Sequence, residues 1–164
     1  MPSLTLAEFF PHELIRAGQD KLVQDLDMTF TEKKILLAHA PTGLGKTACA
    51  LSVAVYHALQ HKKKIFFLTN RHTQHQIAIE TLKLIQQKTG QEIKCADLIG
   101  KRWMCSQEIA NLFGNDFNEF CKSIVEKGEC EFYNTVREKK ALTVEAKVLL
   151  SELSGARHNE EIMA

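Results

Sequence analysis

The residues best suited to chemistry lie in one short segment, Ala40-Pro41-Thr42-Gly43-Leu44-Gly45-Lys46-Thr47. The segment follows an apolar run and precedes a stretch rich in Ala, Leu and Val, which is the strand–turn–helix context of a phosphate-binding loop. Gly43 and Gly45 allow backbone dihedrals that turn successive N–H groups inward, so the loop and the following helix N-terminus form a cradle for anions. Lys46 can reach the β- and γ-phosphates of a nucleotide, and the Thr47 hydroxyl can ligate Mg²⁺. The segment therefore predicts a nucleotide-phosphate site rather than a plain glycine turn.

The sequence supplies only half of the residues that ATP hydrolysis requires. Ala40 stands where the pattern G-x-x-x-x-G-K-[ST] has its first glycine, and a small residue at this position is tolerated in loops of the form [AG]-x-x-G-x-G-K-[ST]. Phosphoryl transfer also needs an acidic residue on a second strand, which holds Mg²⁺ and positions water. No apolar strand pattern in the sequence ends in Asp or Asp-Glu, and its nearest approach, residues 148–152, is typical of a helix. We expect the chain alone to be unable to hydrolyse ATP.

Three cysteines in the polar second part of the chain are candidate metal ligands. Cys105, Cys121 and Cys130 are separated by 15 and 8 residues. Structural zinc sites usually contain close C-x₂₋₄-C pairs, whereas iron–sulfur clusters can take thiolates from separate loops. Spacing alone leaves two interpretations open, a metal site and unrelated thiols. Cys49 and Cys95 fall in predicted apolar elements, and we interpret them as core residues.

The composition describes a folded chain with an uneven charge distribution. The 164 residues carry 21 basic and 20 acidic side chains, so a strongly basic nucleic-acid wrapper is excluded. Residues 61–104 nevertheless contain nine basic and three acidic side chains. This stretch is a candidate surface for phosphate backbones, and the alternative is a solvated cluster at Lys62-Lys63-Lys64. We find no targeting or membrane segment and expect an intracellular protein.

The order of predicted elements indicates an α/β fold. Periodicity predicts helices at 6–28, which could be two short ones, and at 73–88. Composition predicts further helices at 46–60 and 141–153, and short apolar runs predict strands at 35–40, 65–69 and 92–99. Strands that alternate with helices predict a parallel sheet with right-handed βαβ crossovers. Apolar residues thin out after residue 104. The predicted organisation is therefore a partial RecA-like P-loop domain at 1–104 and part of an inserted helical domain at 105–164.

Several short segments around the loop resemble those of one helicase family. Phe10-Pro11-His12 with Arg16 and Gln19 is similar to a segment F-P-[YH]…R-x-x-Q, in which the glutamine recognises adenine. Leu68-Thr69-Asn70-Arg71-His72-Thr73-Gln74 resembles L-T-x-T-H-[ST]-Q, a turn that contacts single-stranded DNA, with Arg71 where threonine is common. Leu98–Cys105 resembles L-x-G-[RK]…C, and Cys130–Tyr133 resembles C-x-[FY]-[YF], the segments that carry the first and third cluster ligands. Together these segments resemble the N-terminal part of the XPD/DinG-type superfamily 2 DNA helicases, which carry an iron–sulfur domain inserted in helicase domain 1.

The resemblance implies an ATP-dependent DNA helicase that moves 5′ to 3′, with Lys46 and Thr47 as its catalytic residues in this chain. ATP would be bound by residues of the loop and the preceding segment: Arg16, Gln19, Pro41, Thr42, Gly43, Leu44, Gly45, Lys46 and Thr47, with Thr47 on Mg²⁺. Single-stranded DNA and duplex junctions would be the partners, contacted by Thr69, Arg71, His72, Thr73, Lys101 and Arg102. A structural [4Fe–4S] cluster would be held by Cys105, Cys121 and Cys130.

The resemblance also implies that this chain is a fragment. The fourth cluster ligand is expected beyond Ala164, and His158–Met163 is similar to the run-up to it. The whole protein would act as a monomer, in the bacterial cytoplasm at the nucleoid or in a nucleus. Two alternatives remain: a stand-alone nucleotide- or metal-binding module, and an unrelated P-loop NTPase with incidental cysteines.

Overall fold

The computed structural model describes residues 4–138, 141–152 and 155–156. The chain divides into two compact units, Met1–Cys95 and Ala96–Ala164. The domain boundary expected after residue 104 stays a prediction.

The N-terminal unit contains a short 3₁₀-helix and three α-helices. The 3₁₀-helix spans Leu6–Phe9, α1 spans Gln19–Thr31, α2 spans Lys46–His61 and α3 spans His72–Thr89. These bounds agree with the three helical segments predicted from the sequence, the first of which is two separate helices. Gly90 ends α3 in the left-handed conformation and its N–H donates to the Gln86 carbonyl at 2.9 Å, as expected for a C-terminal glycine.

Helix α2 is the centre of this unit. Seven of the eight residues in 48–55 are buried, all but Ala50, and the helix packs against α1, α3 and the 3₁₀-helix. A core cluster of Phe10, Ala48 and Cys49 is completed by apolar side chains of α1: Leu22, Val23 and Leu26. A helix that is apolar on most of its faces has to be surrounded by other elements. The loop that precedes α2 is therefore anchored to the most buried element of the unit.

Polar contacts tie the other segments to this core. His57 Nε2 on α2 lies 2.7 Å from Asp27 Oδ1 on α1, and its ring stacks on Phe30 with centroids 5.2 Å apart. The Lys88 amine on α3 donates to the carbonyls of Phe10 and His12 at 2.8 and 3.2 Å. The segment before α1 is thus held from the far end of α3.

The apolar segments predicted as strands carry no assigned strand in the described structure, apart from an isolated bridge at Cys95. Side chains in 35–40 and 65–69 alternate in exposure: Ile35 and Leu37 are 99% and 98% exposed, and Phe66 and Leu68 are 83% and 87% exposed. The residues between them, Leu36 and Phe67, are 36% and 39% exposed. Such alternation is the pattern of an extended chain, whose side chains point alternately to two faces. The parallel sheet stays a prediction.

The C-terminal unit contains short helices and one small hairpin. A 3₁₀-helix spans Glu108–Asn111, α4 spans Gly114–Glu126, α5 spans Glu131–Val136 and α6 spans Val144–Glu152. Strands β1 (Arg137–Glu138) and β2 (Ala141–Leu142) pair antiparallel. Helix α6 accounts for most of the helix predicted at 141–153. Across the described ranges, no helix is both long and apolar enough to cross a membrane.

Candidate nucleotide site

The phosphate loop has the backbone conformation that its glycines predict. Gly43 and Gly45 lie in the left-handed region, with φ of +85° and +86°. Gly45 is the N-cap of α2, and its carbonyl accepts the N–H of Cys49 at 3.1 Å. The loop therefore turns directly into the helix, whose N-terminal N–H groups and dipole favour an anion.

The Lys46 amine lies on the loop itself. Lys46 Nζ donates to the carbonyls of Ala40 at 3.0 Å and Pro41 at 2.8 Å. The side chain thus folds back over the loop that it follows, within reach of any group bound there. Thr47, the next residue, is half-buried at the first turn of α2, while Pro41 and Thr42 are exposed. The Lys46 amine and the N–H groups at the start of α2 fit the phosphates of a nucleoside triphosphate, with Mg²⁺ on the Thr47 hydroxyl.

Gln19 is bonded to the loop from α1. Its side chain is only 3% exposed. The amide nitrogen Nε2 donates to the Leu44 carbonyl at 2.7 Å, and Oε1 accepts the backbone N–H of Arg16 at 2.8 Å. A Cβ atom on Gly45 would lie 2.6 Å from Gln19 Nε2, so a side chain here would displace the Gln19 amide in addition to straining the backbone at positive φ. Arg16 itself is exposed.

Sequence reasoning did not find this contact between Gln19 and the loop, nor the role of Gly18. Gly18 has φ of +85° as the N-cap of α1, and a Cβ there would touch Leu44 Cδ1 at 3.4 Å. A glycine directly before Gln19 was the signal that could have indicated a close approach at this point. Gln19 and Leu44 are 25 positions apart in the sequence, which explains why local spacing did not indicate the contact.

Four of the six residues predicted to contact DNA gather at the start of α3. Arg71 is the N-cap residue, and its backbone N–H donates to Thr69 Oγ1 at 3.3 Å. Arg71, His72 and Thr73 are exposed, and the rings of His72 and His75 lie 6.1 Å apart. The arrangement presents a cation and several hydrogen-bonding groups on one exposed turn.

The other two predicted DNA contacts, Lys101 and Arg102, belong to the C-terminal unit. The Arg102 guanidinium lies 4.7 Å above the Trp103 ring and donates to the Leu112 carbonyl at 3.2 Å. Arg102 therefore has partners inside its own unit. Lys101 is exposed to solvent.

The three candidate cluster cysteines lie on separate elements. Cys105 precedes the second 3₁₀-helix and is half-buried, Cys121 is buried in α4, and Cys130 is buried at the N-cap of α5. The Gln107 amide lies 3.8 Å from Cys130 Sγ. In the part of the chain that the structure describes, no three His, Cys, Asp or Glu side chains come together in a group that could hold a metal ion. As described, the three thiols do not fit a shared cluster, and residues 158–163 lie outside the described residues.

Cys49 is chemically distinct from these three. It lies in the core cluster with no exposed surface, and burial raises the pKa of its thiol. A buried thiol of raised pKa is a packing group rather than a ligand or nucleophile. The interpretation of Cys49 as a core residue is confirmed.

A phosphate loop followed by a buried helix defines the class of the protein as a nucleotide-binding module, and the family match makes it one of the superfamily 2 helicase type. The comparison with known families agrees: the model of the type III restriction enzyme, res subunit, matches residues 13–158, and the chain belongs to this family. Neither the curated proteins nor the solved structures contain a match to the chain.

Proposed function

We propose that the chain is the nucleotide-binding part of an ATP-dependent DNA helicase motor that moves 5′ to 3′. The observation that supports ATP binding best is the loop, in which two left-handed glycines, the N-terminus of α2 and the Lys46 amine converge. The phosphates would lie along Pro41–Thr47, where backbone N–H groups bind oxygens and Thr47 holds Mg²⁺. The Lys46 amine would exchange the Ala40 and Pro41 carbonyls for phosphate oxygens.

The affinity of the chain for a fluorescent ATP analogue, measured by titration in the presence of MgCl₂, tests this proposal. Lys46→Ala removes a charged donor, and we expect the affinity to fall about tenfold or more, since hydrogen bonds to charged groups contribute about 1.5–3 kcal/mol. Lys63→Ala is the matched control, because Lys63 is exposed just beyond the other end of α2. Equal affinities of the wild type and Lys46→Ala would contradict the proposal.

Turnover by the chain alone is expected to be negligible, because its sequence has no acidic strand end to position the attacking water. The same observation favours the second candidate function, a nucleotide-binding module without motor activity. Phosphate release that Lys46→Ala abolishes would show that the chain supplies the missing group itself and would contradict both expectations.

The DNA track is proposed to include the exposed turn at Thr69–Thr73 and the Lys62–Lys64 cluster of the N-terminal unit. Lys101 and Arg102 are proposed as separate DNA contacts of the C-terminal unit. Fluorescence anisotropy with single-stranded DNA tests the track, since phosphate contacts make affinity depend on salt. The double change of Lys63 and Lys64 to Glu should weaken binding and flatten the salt dependence. The same change at Lys33 and Lys34 is the control of equal charge. Equal losses of DNA affinity in the two double variants would mean that the position of the charges does not matter. That result would contradict the proposal that Lys63 and Lys64 belong to the DNA track.

The iron–sulfur type rests on the resemblance of the segments around Cys105 and Cys130 to those of the iron–sulfur helicases, with Cys121 as the second ligand, and no step of the proposed ATP binding depends on it. Anaerobic reconstitution followed by iron and zinc analysis tests it. Iron that is lost on Cys121→Ser, and kept on Cys49→Ser, would support this type of helicase. Stoichiometric zinc would contradict it.

A further inference from the structure

A surface turn of the C-terminal unit carries the single tryptophan of the chain beside two cations. The turn spans residues 100–103, and the Trp103 N–H closes it by donating to the Gly100 carbonyl at 2.8 Å. Exposed Lys101 and half-buried Arg102 occupy its two central positions. Trp103 is 57% exposed. The turn therefore presents a large aromatic surface and positive charge to solvent at the same place.

The indole ring is held by contacts on one face and one edge. The Arg102 guanidinium lies over the ring, 4.7 Å from its centroid. The guanidinium is itself held, because it donates to the Leu112 carbonyl at 3.2 Å. At the edge, a Cβ on Gly100 would lie 3.2 Å from Trp103 Cδ1, so the ring lies against the backbone of the turn. The exposed part of the indole lies away from these contacts, and a ring fixed in this way loses little conformational entropy when a ligand covers it.

A single strand of nucleic acid matches both chemical parts of this surface. An unpaired base has an aromatic face that stacks on a tryptophan ring, and the flanking phosphates are anions. Lys101 is two positions from Trp103 in the same turn and can meet a phosphate beside the stacked base. A simple anion would use the cations and leave the ring uncovered, and an apolar partner would cover the ring and leave the cations unused. A nucleotide strand uses both.

We propose that Trp103 is a base-stacking residue for single-stranded DNA, with Lys101 on an adjacent phosphate and the Arg102 guanidinium supporting the ring. The inference rests on the proposed DNA binding of the chain. It deepens that function by adding a contact to the bases, where the cations contact only the backbone. Because every base has an aromatic face, such a contact holds a strand without selecting its sequence.

Tryptophan fluorescence tests the inference directly, because Trp103 is the only tryptophan among the 164 residues. Oligo(dT) should quench the emission of the chain as it binds. An abasic oligodeoxynucleotide of the same length has the phosphates and no bases, so it should leave the emission unchanged when it is bound. The anisotropy of dye-labelled strands measures the binding of both without use of the tryptophan. Equal quenching by the two bound strands would overturn the inference, and so would bound oligo(dT) that leaves the emission unchanged.

Variants at this position measure what the ring contributes to affinity. Trp103→Leu removes the aromatic face and keeps an apolar side chain, and we expect its affinity for oligo(dT) to fall about tenfold while its affinity for the abasic strand is kept. Trp103→Tyr keeps an aromatic face and should retain most of the affinity for oligo(dT). Phe132→Leu is the matched control, because Phe132 is a 47% exposed aromatic residue of the same unit, and it should change neither affinity. Equal losses for both strands with Trp103→Leu would mean that the ring only maintains the shape of the turn, and would overturn the inference.

The inference and the proposed DNA binding fail in different ways. A wild-type chain that binds no single-stranded DNA by anisotropy would overturn both. A wild-type chain that binds oligo(dT) without quenching, and that loses affinity when Lys63 and Lys64 are changed to Glu, would overturn the inference alone and leave the DNA track in place. The fluorescence of the wild-type chain decides the question even if Trp103→Leu does not fold.

Discussion

In the N-terminal unit the candidate phosphate loop is held by residues distant in sequence, whereas in the C-terminal unit the three candidate thiols lie on separate elements with no shared group among the described residues. The loop residues are adjacent in sequence, so local backbone geometry alone brings them together, and Gln19 then fixes them. Cys105, Cys121 and Cys130 depend on tertiary packing to meet. Contiguous motifs therefore indicate a site more directly than widely spaced ligands do.

The prediction with the largest expected effect tests whether nucleotide binding by the loop depends only on the N-terminal unit. Phe117 on α4 is 1% exposed, and Phe117→Ala should destabilise the C-terminal unit by about 3–5 kcal/mol. Nucleotide affinity should not change, because every bond described for the loop comes from residues before Cys95. Phe113→Ala is the control, since Phe113 is 84% exposed and its loss should cost less than about 0.5 kcal/mol. Denaturant unfolding and ATP titration check both, and an affinity that falls with Phe117→Ala would contradict the comparison.

The second prediction has a smaller expected effect and concerns the two glycines of the loop. Gly43→Ala and Gly45→Ala both place a side chain at positive φ, at a cost of about 1–2 kcal/mol each. Only Gly45→Ala also meets the Gln19 amide, because the space around Gly43 is open. We expect pyrophosphate affinity to fall about tenfold further for Gly45→Ala than for Gly43→Ala. Equal losses would mean that the contact between Gln19 and the loop has no effect on binding.

The third prediction compares thiols of the two units. Cys105 is half-buried, whereas Cys49 is fully buried and burial raises the pKa of its thiol. Since the thiolate is the reactive form, Cys105 should be alkylated by iodoacetamide at least about ten times faster at pH 8. Mass spectrometry of digested peptides measures the two rates. Faster labelling of Cys49 would mean that the core of the N-terminal unit opens more readily than the C-terminal unit.

The smallest effect concerns the start of the N-terminal unit. The Glu8 carboxylate accepts bonds from the backbone N–H and the hydroxyl of Thr5, at 2.6 and 2.8 Å, and these bonds lower its pKa. A lowered pKa stabilises the folded chain above the pKa of the unfolded state, and this contribution is lost as the pH falls through the lowered value. Glu8→Gln should therefore reduce the melting temperature slightly at pH 7 and not at a pH below the lowered pKa of Glu8. Glu13→Gln, at an exposed carboxylate, is the control.

Helix positions and the loop could be predicted from the sequence because both depend on local patterns. The composition around Leu51, the periodicity around Leu82 and the glycine at Gly90 indicate helices directly, and the spacing of Gly43, Gly45 and Lys46 indicates the loop. The bond between Gln19 and Leu44 could not be derived this way, since it joins residues that only the packing of α1 on α2 brings together. The parallel sheet and the cluster also depend on long-range pairing, and both stay predictions.

The position of the Lys46 amine changes how a loss of binding at this residue is interpreted. Two carbonyls, Ala40 and Pro41, already satisfy the ammonium, so the arrival of a phosphate is an exchange of partners and not a new contact. The contribution of Lys46 to the binding free energy is then the difference between two states, one in which its amine is bonded to the carbonyls and one in which it is bonded to phosphate. Replacing Lys46 removes both states, and the released carbonyls are free to accept water. The loop of Lys46→Ala is therefore a differently hydrated segment, not the wild-type loop minus one charge.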